Sequence, residues 1–234
     1  MFNFGKKAST PVSLTMRDTL FGDQETWPPE TLGATAREVG PWPLFFRARD
    51  LAEAKKIDEA VQILRQITET PEFESRQRMQ AWHLLRNLGV VPPKEQSKIV
   101  LGVVVEVGMP KGLDLLAAYS DHSARYWNFS NAGVVWEHPN SSLDPRIDTL
   151  LEKASALVQR IGPWDKARRA APSKGITRLN ILTPSGLHFG EGPTELLSKD
   201  PVGGPTFAAA TQLMLKLIET AKQTRENQGT TPSA

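Results

Sequence analysis

The hydrophobic periodicity of this chain changes once, close to Lys98, and this change constrains the fold more than any other feature. Before it, apolar residues recur at steps of three and four, which predicts helices between Leu44 and Leu88. After it, Ile99 to Gly108 is rich in β-branched residues, and Leu113 to Tyr119 has a two-residue alternation typical of a strand. We therefore expect an α+β protein, helical in its first half and built on a sheet in its second.

The second half contains further strand and helix signals in a regular order. Four more strands are predicted at Ala124 to Phe129, Val134 to Glu137, Ile176 to Thr183 and Leu187 to Gly190. Helices are predicted to begin at Asp144-Pro145, where an N-cap acceptor precedes a proline, and at Pro205. The expected result is an antiparallel sheet of about six strands with two helices packed on one face. This order of elements loosely resembles profilin-type and roadblock-type scaffolds, which implies a binding or dimerising module.

The same signals divide the chain into four parts. They are a Pro-rich extended arm at 1–43, a helical subdomain at 44–93, the sheet with its two helices at 98–222, and a disordered tail at 223–234. The helical subdomain is predicted to be a helical hairpin followed by a third helix. Leu51 to Leu64 resembles the turn of a tetratricopeptide unit, but it occurs once, whereas a solenoid needs several repeats.

Composition excludes several classes of function. The net charge of +2 is too small to imply a polyanionic partner by itself, and the absence of cysteine removes disulfides, thiolate metal ligands and thiol nucleophiles. No export signal and no apolar run long enough for a membrane helix is visible, so we expect a cytoplasmic protein without membrane insertion. No helix carries His at i and i+4, and no Asp-rich calcium loop occurs, so the sequence predicts neither a metal site nor a cofactor.

One predicted strand concentrates aromatic side chains. Strand alternation sends Arg125, Trp127 and Phe129 to one face of the sheet and Tyr126 to the other. If helices cover a single face, the opposite face presents large rings of the kind that anchor protein interfaces. The alternative is that the arm or the first-half helices cover this second face.

The most basic stretch of the chain lies between the Asp144 helix and the fifth strand. It includes Lys166, Arg168, Arg169 and Lys174, with Trp164 among them. Cationic side chains around an aromatic ring can follow a phosphate backbone and stack on a base, which makes nucleic acid a candidate partner. The alternative is a solvated loop with no ligand.

A glycine-rich string near the sixth strand contains His188 and Glu191, residue types that can act as acid, base or metal ligand. It matches neither the phosphate-binding P-loop nor the dinucleotide fingerprint. Asp121-His122-Ser123 contains the residue types of a catalytic triad, but neighbours in one turn cannot chain their side chains from nucleophile to base to carboxylate. A hydrolase using His188 and Glu191 is therefore retained as a secondary hypothesis.

The leading functional hypothesis is a non-enzymatic cytoplasmic interaction or scaffold module. The aromatic strand and the arm would contact a protein partner or a second copy of the chain, because aromatic side chains cluster where a strand face could be exposed. Nucleic-acid association through residues 160–178 is the first alternative, and a hydrolase of unknown substrate is the second.

Overall fold

The computed structural model describes residues 16–25, 38–130 and 132–229, and in this part of the chain it has six helices and six strands. The helices are α1 (Trp42–Glu53), α2 (Ile57–Glu69), α3 (Ser75–Asn87), α4 (Asp144–Val158), the short α5 (Thr194–Leu197) and α6 (Gly204–Gly229). The strands are β1 (Gly102–Met109), β2 (Gly112–Tyr119), β3 (Ala124–Trp127), β4 (Gly133–Trp136), β5 (Ile176–Thr183) and β6 (Gly186–Pro193). The predicted α+β class is confirmed. Most of the predicted arm lies outside the described residues, and α6 continues to Gly229, into the range assigned to the tail.

Local sequence signals set where the helices begin. The side chain of Glu74 accepts from the backbone of Gln77 at the start of α3, and the side chain of Gln77 accepts from the backbone of Glu74. This capping box satisfies backbone donors that the first turn leaves free. Helix α4 begins at Asp144 close to the predicted point, and Pro145 lies in its first turn, where the missing N–H of proline costs nothing. The predicted N-cap role of Asp144 is wrong, because Leu143 occupies the N-cap position, no side chain caps the helix, and Asp144 is the first helical residue.

The six strands form one antiparallel sheet in the order β4-β3-β2-β1-β5-β6. The first four strands form a meander, and β5 and β6 form a hairpin that joins the sheet beside β1. In this register Glu106 of β1 lies opposite Leu115 on one side and Arg178 on the other. Strand β1 is therefore an inner strand with β2 on one side and β5 on the other. Strand β5 follows β1 in the chain only after β2, β3, β4 and α4, so this pairing is distant in sequence.

Helices cover both faces of the sheet. Val104 of β1 points to a face that packs against α1, α2 and α3, which we call the front face. Its neighbours Val103 and Val105 point to the back face, which packs against α4 and α6. The two predicted helices on one face are thus α4 and α6, while the helical subdomain covers the other. Because each face buries its own apolar cluster, the sheet is the middle layer of three.

No helix in the described ranges combines the length and the apolar character required to cross a membrane.

Candidate functional site

The connection between α4 and β5 crosses the front face beside the helical subdomain, and we call residues 163–173 the strap. The backbone N–H of Trp164 donates to the carbonyl of Leu187 in β6 at 2.7 Å, and the Trp164 ring packs edge-on against Phe189 at 5.1 Å. At the other end of the strap, the backbone of Ser173 lies against Gly108 of β1. Any side chain in place of Gly108 would collide with the Ser173 backbone. The strap is therefore packed onto the sheet.

Under the strap, the centre of the sheet holds a buried carboxylate. Glu106 is fully buried and forms ion pairs with Arg17 and with Arg178, the latter at 3.2 Å. Its Oε2 also accepts a hydrogen bond from Asn180 Nδ2 at 3.0 Å. Arg178 continues the network to Glu191 on β6. An unpaired carboxylate would be very costly at this depth, so these partners are required for the fold as built.

The basic residues of the strap are largely engaged within the protein. Arg168 donates to Asp23 at 2.7 Å and to Asp18 at 2.9 Å, and its guanidinium lies 4.2 Å from the centre of the Phe21 ring. Arg169 pairs with Glu191 at 2.9 Å. The contacts of Arg168 hold residues 16–25 against the strap, and the Arg169 pair joins the strap to β6.

The two lysines of the basic stretch differ from its arginines. Lys166 is exposed and lies 5.6 Å from the ring of Trp164, and Lys174 is exposed. Neither lysine forms an ion pair with any residue in the described ranges. Of the four side chains considered for nucleic acid, only these two carry charge that no carboxylate neutralises, which is a small patch for a phosphate backbone.

The aromatic strand is mostly covered. Arg125 and Tyr126 are only 5% and 7% exposed, because the front and back layers of helices cover the two faces on which they lie. Arg125 pairs with Glu137 at 2.6 Å, and Trp127 is half-buried against the front cluster. Phe129, beyond the end of β3, keeps 40% exposure. The structure thus corresponds to the alternative in which the first-half helices cover this face, and of the four residues only Phe129 offers a free ring.

A cleft of about 720 Å³ opens between α3, residues 17–25, the strap and the β5–β6 turn. These four segments are far apart in sequence, so no local motif marks the cleft. Helix α3 contributes Met79, His83 and Arg86 to its lining, and the turn contributes Ser185 and Gly186. Its volume lies within the range of about 300–1,000 Å³ that is usual for ligand sites.

Arg86 is a half-buried cation of this cleft that lacks an ion pair among the described residues. Its Nη1 donates to the carbonyl of Pro184 at 2.7 Å. Burial lowers the pKa of Arg86 to about 10, and the charge of Asp23 offsets this only in part. Burial and the neighbouring Arg86 charge also lower the pKa of His83. A guanidinium in this situation favours a carboxylate or a phosphate as its ligand.

The β5–β6 turn also brings a serine and a histidine together. Ser185 Oγ lies 3.1 Å from Nε2 of His188, whose Nδ1 lies 3.2 Å from the carbonyl oxygen of Ile161. Because a carbonyl only accepts, Nδ1 carries the proton and Nε2 is the acceptor facing the serine. His188 is fully buried, and burial lowers its pKa, so the imidazole is neutral at neutral pH. Glu191 does not contact His188; it pairs with Arg169 and Arg178 instead.

Sequence reasoning singled out His188 but missed Arg86 and Ser185. Arg86 lies on a polar helix face, where arginine is ordinary, and Ser185 lies in a Pro-Ser-Gly turn, where serine is expected. Only the packing of α3 against the β5–β6 turn gives them a shared cleft.

Comparison with known proteins gives no match: no family model, no curated protein and no solved structure corresponds significantly to this chain. The class that the structure defines is therefore a structural one, a three-layer α+β protein with a six-stranded antiparallel sheet and a charged cleft at the edge of its front layer.

Proposed function

We propose that this chain is a non-enzymatic binding module whose charged cleft takes an acidic segment of a partner protein. The observation that carries this proposal is Arg86, a half-buried guanidinium that lines the cleft and has a carbonyl oxygen as its described hydrogen-bond acceptor. A carboxylate from a partner would supply the missing counter-charge and could accept two parallel N–H bonds. Arginine makes this bidentate contact with more geometric selectivity than lysine.

The rest of the lining supports selective binding of one acidic group. Arg17, Arg168 and Arg169 also line the cleft, but each is already paired with a carboxylate of this chain. Lys166 is the other cation there without an ion pair among the described residues. Glu25 and Asp165 line the cleft as well, so a highly negative segment would be repelled. The expected ligand therefore places a single carboxylate at Arg86.

Fluorescence anisotropy with a labelled peptide tests this proposal. The probe is a short peptide with one glutamate among neutral residues, compared with the same peptide carrying glutamine. Binding of the glutamate peptide only, lost in Arg86→Gln and partly restored in Arg86→Lys, is the expected result. Arg160→Gln is the matched control, because Arg160 is an exposed arginine outside the cleft.

Two outcomes would contradict the proposal. One is equal binding of the glutamate and glutamine peptides by the folded wild-type protein. The other is unchanged glutamate-peptide affinity in Arg86→Gln, with thermal unfolding of the variant matching wild type. Competition by free acetate at the concentration of the peptide would indicate a small carboxylate as the ligand instead of a protein segment.

A second candidate function is hydrolysis of an ester or amide by Ser185, with His188 as the general base. The supporting observation is the 3.1 Å contact between Ser185 Oγ and the unprotonated Nε2 of His188. Ser185 also lines the cleft. In this reading the carbonyl of Ile161 orients the imidazole, and Arg86, beside Gly186, would stabilise a developing oxyanion. The hydroxyl of Thr183 also contacts Ser185 Oγ at 2.9 Å and competes for its hydrogen bond.

Labelling by a fluorophosphonate probe separates the two functions. An active serine reacts covalently, and the label maps to Ser185, disappears in Ser185→Ala and is retained in Thr183→Val. An unlabelled, folded wild-type protein that also fails to hydrolyse p-nitrophenyl esters would rule out the hydrolase and leave the binding module.

A further inference from the structure

The β3–β4 hairpin places two histidines side by side at one end of the sheet. Ala124 pairs with Trp136 across the two strands. Extending this register by two residues brings His122, in the β2–β3 turn, opposite His138, just after β4. The two imidazole rings are 5.2 Å apart in the structure. The sequence predicted no metal site because no helix carries two histidines at i and i+4, whereas the register of two strands brings this pair together.

The start of α4 adds carboxylates to the pair. Asp144 is the first residue of α4, and its Oδ1 lies 3.0 Å from Nε2 of His138. Its Oδ2 lies 3.9 Å from Nδ1 of His122. One ligand atom from each of His122, His138 and Asp144 lies within 4.8 Å of the others. Tetrahedral zinc ligands with bonds of about 2.0–2.1 Å lie roughly 3.3 Å apart, so only small movements are needed to reach that geometry.

Asp148, one turn further along α4, sets the tautomer of His122. Its Oδ1 lies 2.9 Å from Nε2 of His122, so that this nitrogen donates its proton to the carboxylate. The other nitrogen, Nδ1, is then free of a proton and faces Asp144. A carboxylate behind a ligating imidazole is the usual outer partner of histidine at metal centres.

Two further features of the cluster are compatible with a bound ligand. Oδ1 of Asp144 is shielded from solvent and, although it lies 3.0 Å from Nε2 of His138, the hydrogen bond of that nitrogen goes to Oδ2 of the same carboxylate. Both histidines also have left-handed backbones, with φ of 60° at His122 and 51° at His138. This conformation is uncommon for residues other than glycine, although histidine adopts it more readily than most.

We propose that His122, His138 and Asp144 bind a divalent first-row transition-metal ion, with Zn²⁺ as the first candidate and Asp148 as the outer partner of His122. Imidazole ligands favour Zn²⁺, Co²⁺ or Ni²⁺ over Mg²⁺ and Ca²⁺, which prefer oxygen ligands alone. The ion would join the β2–β3 turn, the end of β4 and the start of α4. Three protein ligands leave a coordination position for water or another ligand.

Metal titration of the full, untagged chain tests this site. Zn²⁺ is expected to raise the unfolding temperature and to bind with one-to-one stoichiometry in calorimetry, whereas Mg²⁺ leaves the temperature unchanged. Co²⁺ should give the visible absorption bands of a low-coordinate site. These effects should disappear in His138→Asn and Asp144→Asn, while Asp148→Asn should weaken binding by about 10–100-fold.

The choice of variants keeps the test decisive. Asparagine tolerates a left-handed backbone better than alanine, so His122→Asn and His138→Asn preserve the turns. His83→Asn is the control for histidine removal, because His83 lies in the cleft. The proposal is overturned if the wild-type protein shows no Zn²⁺ binding, or if the cluster variants bind Zn²⁺ as tightly as His83→Asn. Should a variant fail to fold, the tenfold or greater weakening in Asp148→Asn still decides the result.

Discussion

Glu106 and Arg178 lie opposite each other on the neighbouring strands β1 and β5, and their side chains form an ion pair of 3.2 Å inside the protein. The pair is shared with Arg17, which comes from a segment 89 residues before Glu106. One buried carboxylate therefore links the first described segment to the middle of the sheet.

The first prediction concerns this carboxylate. Glu106→Gln removes the buried partner of Arg17 and one of the two carboxylate partners of Arg178, which keeps Glu191. Removal of one member of a buried ion pair costs about 3–5 kcal/mol. We expect a loss of that size in the free energy of unfolding, measured by urea denaturation. Glu152→Gln, at a surface pair with Lys153, is the control and should change it by less than about 0.5 kcal/mol. Equal losses in the two variants would contradict the role given to Glu106.

The second prediction concerns the attachment of residues 16–25 to the strap. Arg168→Gln removes the ion pairs to Asp23 and Asp18 and the contact with Phe21. We expect faster amide hydrogen exchange within 16–25 while exchange in β1 and β2 is unchanged, because only the local contact is lost. Lys174→Gln should leave both regions as in wild type. Unchanged exchange in Arg168→Gln would show that other contacts hold the segment.

The third prediction separates the buried and exposed rings of the aromatic strand. Tyr126→Ala removes a buried ring packed in the back layer and should cost about 3–5 kcal/mol of unfolding free energy, as do comparable aromatic truncations. Phe129→Ser, at an exposed position, should cost under about 1 kcal/mol. Light scattering on both variants then tests self-association. If Phe129→Ser dissociates an oligomer without loss of stability, Phe129 lies in the interface of that oligomer. If the molecular mass of the variant equals that of the wild-type protein, Phe129 is not required for self-association.

The fourth prediction concerns pH. Burial lowers the pKa of His188, so the folded protein keeps this imidazole neutral while the unfolded chain takes up a proton near pH 6.5. Below that pH the unfolded state binds more protons, and stability should therefore fall as the pH drops from about 6.5 towards the lowered pKa. Urea denaturation at several pH values measures this slope, which should be shallower in His188→Gln. His83 also has a lowered pKa, so His83→Gln is needed to apportion the slope. An identical slope in wild type and His188→Gln would refute the assignment.

Most of the fold follows from local sequence patterns. The strands from Ile99 to Glu137 and the helix at Asp144 are predicted because alternation, turn residues and a proline at a helix start act over a few residues. The pairing of β1 with β5 has no such signal, since it depends on packing across the long connection through α4 and the strap. The sequence likewise did not predict that helices cover both faces of the sheet. An apolar stripe shows that a helix packs against something, but it does not show which surface that is.

The candidate sites were less predictable than the fold. Glu106 was visible only as an interruption in a run of valines, and its partners Arg17 and Arg178 lie far away in sequence. The histidine pair could have been found from the predicted meander by extending the β3–β4 register to His122 and His138. The cleft could not have been found from the sequence, because it forms only when four separate segments are packed together.

Helix α3 is attached to the sheet at both ends. At its start, the backbone N–H of Ser75 donates to Asp121 at 2.7 Å in the β2–β3 turn, and near its end Arg86 donates to Pro184 in the β5–β6 turn. The two attachment points, Ser75 and Arg86, lie about 17 Å apart along the axis of the 13-residue helix, so contacts at both ends restrain its position. The cleft therefore has one fixed wall, and a ligand too large for it would gain room by displacing the strap and residues 17–25.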